Sequence, residues 1–366
     1  MPCPPLGAGR FHGDADAKPV GKIKLKAGLS CWQRPRGIAP TSRVASIIGP
    51  IKVLAYQPGL YPRSERVVAA TRGLERGRVA PIDVEEAYQQ DLREFVAVQQ
   101  EAKVDFFSDG LLRWQDHFRP LAKAAGLPTR TLTRWFDNNA FFRAPELNGA
   151  LQPITRIDSI VPDPAVPTPR VATLPSPYMF SRAVATERDR NTLMLDLVRD
   201  LLRPAIEILV ASGCRLVHLQ EPWLGFFGID HSDRAPLERA LDALSSGLDA
   251  GVVLHVYFAD AGPHVDWLRG LPVHAVGVDL VETEVSSLGT KWETGLLAGS
   301  IDGRSSVLES SAEITKVIRR VAEQTQPARL YVSSSCDLEL LPRDIAAQKV
   351  LVLGSAARQL HELVES

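Results

Sequence analysis

The chain has 366 residues, 45% of them hydrophobic and 23% charged, a balance that supports a substantial core and excludes disorder along its whole length. Lys and Arg (42) nearly match Asp and Glu (43), for a formal net charge of −1, so no broad basic footprint exists for nucleic acid or anionic lipid. The cysteines Cys3, Cys31, Cys214 and Cys336 are few and far apart, which argues against a disulfide scaffold and for a reducing, cytoplasmic setting; no apolar run approaches the roughly 20 residues that cross a bilayer.

Residues 1–50 are rich in Pro, Gly, Lys and Arg without a sustained apolar period, and are expected to be a disordered tail ahead of one domain over 51–366. From there, short β-rich runs recur at 53–57, 105–109, 171–175, 215–219, 251–257, 275–280, 296–301 and 330–335. Amphipathic stretches at 82–103, 186–212, 236–248, 263–268, 311–324 and 344–364 lie between and after them. This alternation predicts an α/β fold, a single (β/α)8 TIM barrel, in preference to an open sheet with a glycine-rich phosphate turn after its first strand. The segment 130–149, RTLTRWFDNNAFFRAPELNG, breaks the alternation and is expected to be a hairpin or lid between strands two and three.

In such a barrel the chemistry gathers at the carboxyl ends of the strands. Reading past each run gives Tyr61 and Arg63, Asp109 with Trp114 and Asp116, Tyr178, Gln220 with Glu221, His255 with Tyr257, Asp279 with Glu282, Asp302 with Arg304, and Cys336. An imidazole, a carboxylate and a thiolate from His255, Asp279 and Cys336 suit zinc, which keeps a bound thiol deprotonated. The same three residues also fit a satisfied histidine, an N-capping aspartate and a buried free cysteine. Glu221, followed by Pro222, is a candidate acid, base or amine ligand, and Asp302 with Arg304 a candidate substrate clamp or a simple turn. Trp114, Trp135, Phe141 and Phe142 are candidates to stack on a flat heterocycle or to be ordinary core.

Several colinear segments carry a resemblance. PGLYPRSER (58–66), DGLLRWQD (109–116), RWFDNNAFFRAPE (134–146), LQEPWL (219–224), HVYFAD (255–260), GVDLVE (277–282), SIDGRSSVLES (300–310) and SSSCDLELLPRDIAAQK (333–349) are similar, in order, to segments of the cobalamin-independent methionine synthase family. The resemblance spans residues 56–360 and is nearest to the single-barrel members. It implies zinc held by His255, Asp279 and Cys336, with Tyr257 where the family has a second thiolate. It also implies catalytic roles for Glu221 and Asp302, and substrate binding by Tyr61, Arg63, Asp109, Trp114, Gln220 and Tyr257. Leu60, Leu111 and Gln220 stand where the family has polar or acidic groups for homocysteine. The implied activity is zinc-dependent methyl transfer from methyltetrahydrofolate, or from methylcobalamin, to a thiol such as homocysteine, with small-molecule partners only. The alternative is a catalytically divergent barrel with an altered acceptor, or a silent one that binds a pterin or a small acid.

Overall fold

The computed structural model describes residues 52–134, 136, 141–154 and 160–365, the last five in backbone only. The expected tail at 1–50 and Trp135 lie outside the described residues. Strands β1 (Val53–Ala55), β4 (Arg170–Pro175), β5 (Cys214–Glu221), β6 (Gly251–Val256), β7 (Ala275–Asp279), β8 (Gly295–Ile301) and β9 (Leu330–Ser334) form one sheet, while β2 (Thr129–Arg134) and β3 (Phe141–Pro145) pair as a separate antiparallel ribbon. The sheet order is β1-β9-β8-β7-β6-β5-β4, every pairing parallel. Seven of the eight expected runs are therefore strands of this sheet.

The eighth run, expected at 105–109, is not a full strand. Its first residues touch both edges of the sheet instead. Asp105 N–H donates to the Ala55 carbonyl (2.8 Å), and its side chain accepts from Ala55 N–H (2.7 Å), taking a bond that a longer strand would have made with backbone. Two residues on, Phe107 N–H donates to the Pro169 carbonyl (3.0 Å) and the Phe107 carbonyl accepts from Val171 (2.9 Å). Because one short segment reaches β1 and β4 at once, the sheet has to curl.

The alternation of side chains along the strands shows what the curl encloses. Leu54, Val171, Leu216, Val253, Ala275, Leu297 and Tyr331, one from each strand, pack into one buried cluster with Phe106 against it. The opposite faces meet the surrounding helices in a second, larger core. Above the apolar interior lies a polar layer: Tyr56 Oη is 3.0 Å from His218 Nδ1, and the His218 and His255 rings stand edge to face at 5.2 Å. Burial holds both imidazoles neutral, lowering His255 to about 3 and His218 well below its ordinary value, the latter also pushed down by His255.

The apolar period expected as one helix over 186–212 is realised as Arg190–Leu197, a wide turn at Val198–Leu202, and Arg203–Ala211. Pro204 explains the wide turn, since it lacks an N–H and its ring displaces the carbonyl four residues back. That carbonyl, of Asp200, accepts from Ile154 N–H (3.0 Å) instead. Among the described residues no helix is long and apolar enough to cross a membrane.

Candidate active site

A cavity of about 670 Å³ opens at the carboxyl ends of the sheet strands. Tyr257 and Phe258 follow β6, Gly303 and Arg304 follow β8, Cys336 and Asp337 follow β9, and Leu60 lies in the turn after β1; all line it. The ribbon contributes Arg134, Phe141 and Phe142. Phe136 lies with its ring 5.6 Å from both Phe258 and Phe226, so the wall is aromatic on one side. The other side is charged, carrying Asp116, His117, Asp337 and Glu339.

Asp337 is the hub of the charged side. Its Oδ1 accepts from Gln220 Nε2 (2.5 Å) and Leu60 N–H (3.2 Å), and its Oδ2 pairs with His117 Nε2 (2.9 Å). Burial alone would lower the His117 pKa, but Asp337, with Glu339 and Asp116 behind it, outweighs burial and raises it. Glu339 lies in reach of these charges without a hydrogen bond to any described residue. Burial first, then repulsion from Asp337, pushes its carboxyl up to about 7, although His117 and Arg63 pull the other way. A carboxylate that titrates near neutrality beside an empty volume is suited to exchange a proton with a bound molecule. Tyr257 has its phenol held far above its usual range by burial, so it stays a neutral donor.

The expected zinc ligands are not gathered. Among the described residues no three His, Cys, Asp or Glu side chains stand where they could hold one metal ion. The reason is the layering of the sheet interior. His255 lies in the layer of Gly277 and Gly299, where an added Cβ would meet its ring at 2.8 and 3.1 Å. Asp279 lies two residues past Gly277, the partner of His255 in the β6–β7 register, which is about 7 Å further along the strand. Asp279 is also committed: Oδ2 accepts from Phe258 N–H (3.2 Å), Oδ1 from Val281 N–H (2.9 Å), and Arg304 Nη2 sits 3.3 Å from Oδ2. Cys336 lines the cavity as a buried free thiol, and burial together with the Asp279 and Asp337 charges pushes it far above its ordinary range. His255 leaves its buried Nε2 without a partner among the described residues, the one feature of the three that suits a ligand. The donor set as a whole does not fit zinc.

The remaining expected site residues divide. Gln220 reaches the cavity's charged wall through Asp337, and the half-buried Arg63 acts on Glu339 at a distance. Tyr61 stacks on Phe95 at 4.0 Å in a separate core cluster, while Asp109 and Trp114 line a small neighbouring pocket with Tyr88 and Arg113. Glu221 is fully buried and spends its oxygens on local donors. It accepts from Leu224 N–H (2.7 Å), Met179 N–H (3.1 Å) and Ser176 Oγ, capping the helix that starts at Pro222 and bracing the one that starts at Pro177. Asp302 accepts from Arg304 N–H (2.8 Å) in a turn. The residues read past each run did not include His117, Asp337 or Glu339, though His117 directly follows Asp116, Asp337 directly follows Cys336, and Glu339 lies three positions beyond Cys336.

Residues 113–326 match the family profile described as the cobalamin-independent synthase, N-terminal domain. A methionine synthase of Sulfolobus acidocaldarius is 26% identical over 307 residues, covering 80% of this chain and 88% of that protein. A 5-methyltetrahydropteroyltriglutamate--homocysteine methyltransferase of Nitrobacter winogradskyi is 26% identical over 237 residues, 62% of this chain but 30% of that longer protein. Among solved structures, a B12-independent methionine synthase from Shewanella sp. W3-18-1 superposes with a TM-score of 0.64 at 14% identity, covering 86% of this chain and 99% of that one. One from Listeria monocytogenes, titled putative, gives 0.66 at 17% identity, covering 84% and 99%. At these identities the structural likeness speaks for the fold, and the profile match over more than half of the chain speaks for the lineage: this protein belongs to the cobalamin-independent synthase family.

Proposed function

We propose that this protein is a methyltransferase that carries a methyl group from a methylfolate donor to a thiol of the homocysteine type, within a barrel that the segment 105–107 closes between β1 and β4 and that the β2–β3 ribbon lids. The observation that carries the reading is the cavity itself, whose size is that of a small-molecule site and whose position is where a barrel of this family does its chemistry. Its aromatic wall, Phe136, Phe226 and Phe258, suits the face of a flat heterocycle. Its acidic wall suits an amino-acid ammonium group: Asp337 and Glu339 supply the negative charge that Leu60, Leu111 and Gln220 do not.

A thiol acceptor has to lose its proton before it attacks, since the free group titrates near ~8.5. Glu339 takes that proton, the sulfur lone pair forms the new S–C bond, and the bond between the donor's nitrogen and the methyl carbon breaks with its electron pair left on the nitrogen, which takes up the proton that Glu339 received. His117, held by Asp337, keeps the acidic wall from excess negative charge, and Tyr257 donates a hydrogen bond to the bound substrate. Asp302 positions Arg304, and Glu221 fixes the helix that carries Phe226. No step is routed through zinc, because the donors present do not fit it.

A silent binding barrel is the second reading, favoured by the dispersal of His255, Asp279 and Cys336. Donor binding is common to both readings and is tested first. Calorimetric titration with methyltetrahydrofolate is expected to give saturable binding that Phe258→Ala weakens by about tenfold, in line with the loss of one ring contact. Absence of binding to the wild type, or identical affinity in the variant, contradicts the assignment of the aromatic wall.

A further inference from the structure

We infer that Arg304 is the resident cation of this site: its guanidinium occupies the place beside Asp279 where a divalent metal would have to sit, so the carboxylates here are gathered about an organic cation. The function of the site rests on the methyl-transfer reading, but the identity of its cation does not. Arg304 Nη2 is 3.3 Å from Asp279 Oδ2, Nη1 is 3.0 Å from Glu282 Oε1, and Nε is 3.7 Å from Asp302 Oδ1. Its guanidinium carbon also lies 5.9 Å from the centre of the Phe258 ring. Three acids, one at the end of β7 and two in the loops after β7 and β8, thus share one guanidinium, and the innermost of them, Asp279, is fully buried.

The backbone is built to bring Arg304 there. Asp302 Oδ1 receives the Arg304 N–H, and Gly303 packs so tightly on the loop after β9 that a Cβ would stand 2.8 Å from Cys336 Sγ and 2.7 Å from the Asp337 carbonyl. Only glycine allows that approach, which sets the side chain of the next residue between Asp279 and the cavity. The lone pairs of Asp279 are already met by two backbone N–H groups and Arg304. A divalent ion entering beside a fixed guanidinium would meet like charge at a few ångströms, and a planar, always-charged group satisfies a buried carboxylate without one.

The test counts metal in the full-length chain. Wild type expressed with zinc in the medium and purified without chelator is expected to hold less than about 0.1 zinc per chain, since a site with too few correctly placed ligands loses the ion on purification. Arg304→Ala releases the carboxylates of Asp279, Glu282 and Asp302 and is expected to raise zinc affinity by about tenfold or more, while Arg304→Lys, which keeps the charge, leaves it at the wild-type level. One zinc per wild-type chain, lost on His255→Ala or Cys336→Ser, overturns the inference. So does a folded Arg304→Ala protein, checked by circular dichroism, whose zinc affinity is unchanged. Should that variant fail to fold, Arg304→Gln provides the same comparison with the side-chain volume retained. These readouts are metal counts, so they stand whether or not methyl transfer is found.

Discussion

Asp337→Ala lowers kcat/KM for methyl transfer by at least about 100-fold, the range expected when a charged group that organises proton transfer is lost. Asp337 alone connects Gln220, the Leu60 backbone and His117. Without it, burial is the dominant influence left on His117, whose pKa falls, and the acidic wall loses both a carboxylate and its counter-charge. The buried Gln220 amide, whose Oε1 already lacks a partner among the described residues, then loses its Nε2 acceptor as well, at a cost to stability of about 1–3 kcal/mol. Asp337→Asn retains an acceptor for Leu60, so it should lose most of the activity and little of the stability. Steady-state kinetics with urea unfolding of both variants measures the two effects separately; activity within about threefold of wild type in Asp337→Ala contradicts the role.

Glu339→Gln replaces the limb of the rate profile near 7 with one set by the acceptor thiol itself. The Glu339 carboxyl is raised to about 7 by burial and then by Asp337, so its basic form is lost as pH falls below that value. With the proton-accepting form required, kcat/KM in the wild type climbs about tenfold per pH unit up to the neighbourhood of pH 7. The limb belonging to a free acceptor thiol lies higher, near ~8.5, and is distinguishable. In Glu339→Gln the bend near 7 disappears and the rate follows the free thiolate, rising up to ~8.5 and lying about 10²–10⁴ lower at neutral pH. A variant that keeps the wild-type limb near 7 shows that another group is the base.

Much of the fold is legible in the sequence because parallel strands buried on both faces are written as β-branched runs, VVLHV in β6 and AVGVD in β7 among them. The run at 105–109 was overread: its apolar content is that of a strand, but the Asp105 side chain does the work of ladder bonds, which a hydropathy pattern does not report. Pro204 could have marked the wide turn at 198–202, since it is the one residue in that helix without a donor. The site was legible as a place and not as a set of ligands. Strand periodicity puts His255, Tyr257 and Asp279 all inward, yet inward positions fall in successive layers, and only the register assigns His255 to the layer of Gly277 and Gly299. Charge pairing is equally silent in one dimension: His117 and Asp337 are 220 positions apart in numbering and 2.9 Å apart in space.

The most direct measurement follows a ¹³C-labelled methyl group by NMR, with full-length protein, methyltetrahydrofolate carrying the label, homocysteine and no added metal. The account predicts that the label leaves the donor and appears on the sulfur of methionine at a rate that collapses in Asp337→Ala and Glu339→Gln. A label that stays on the donor with homocysteine and with every other thiol supplied, while the donor still binds, would contradict it.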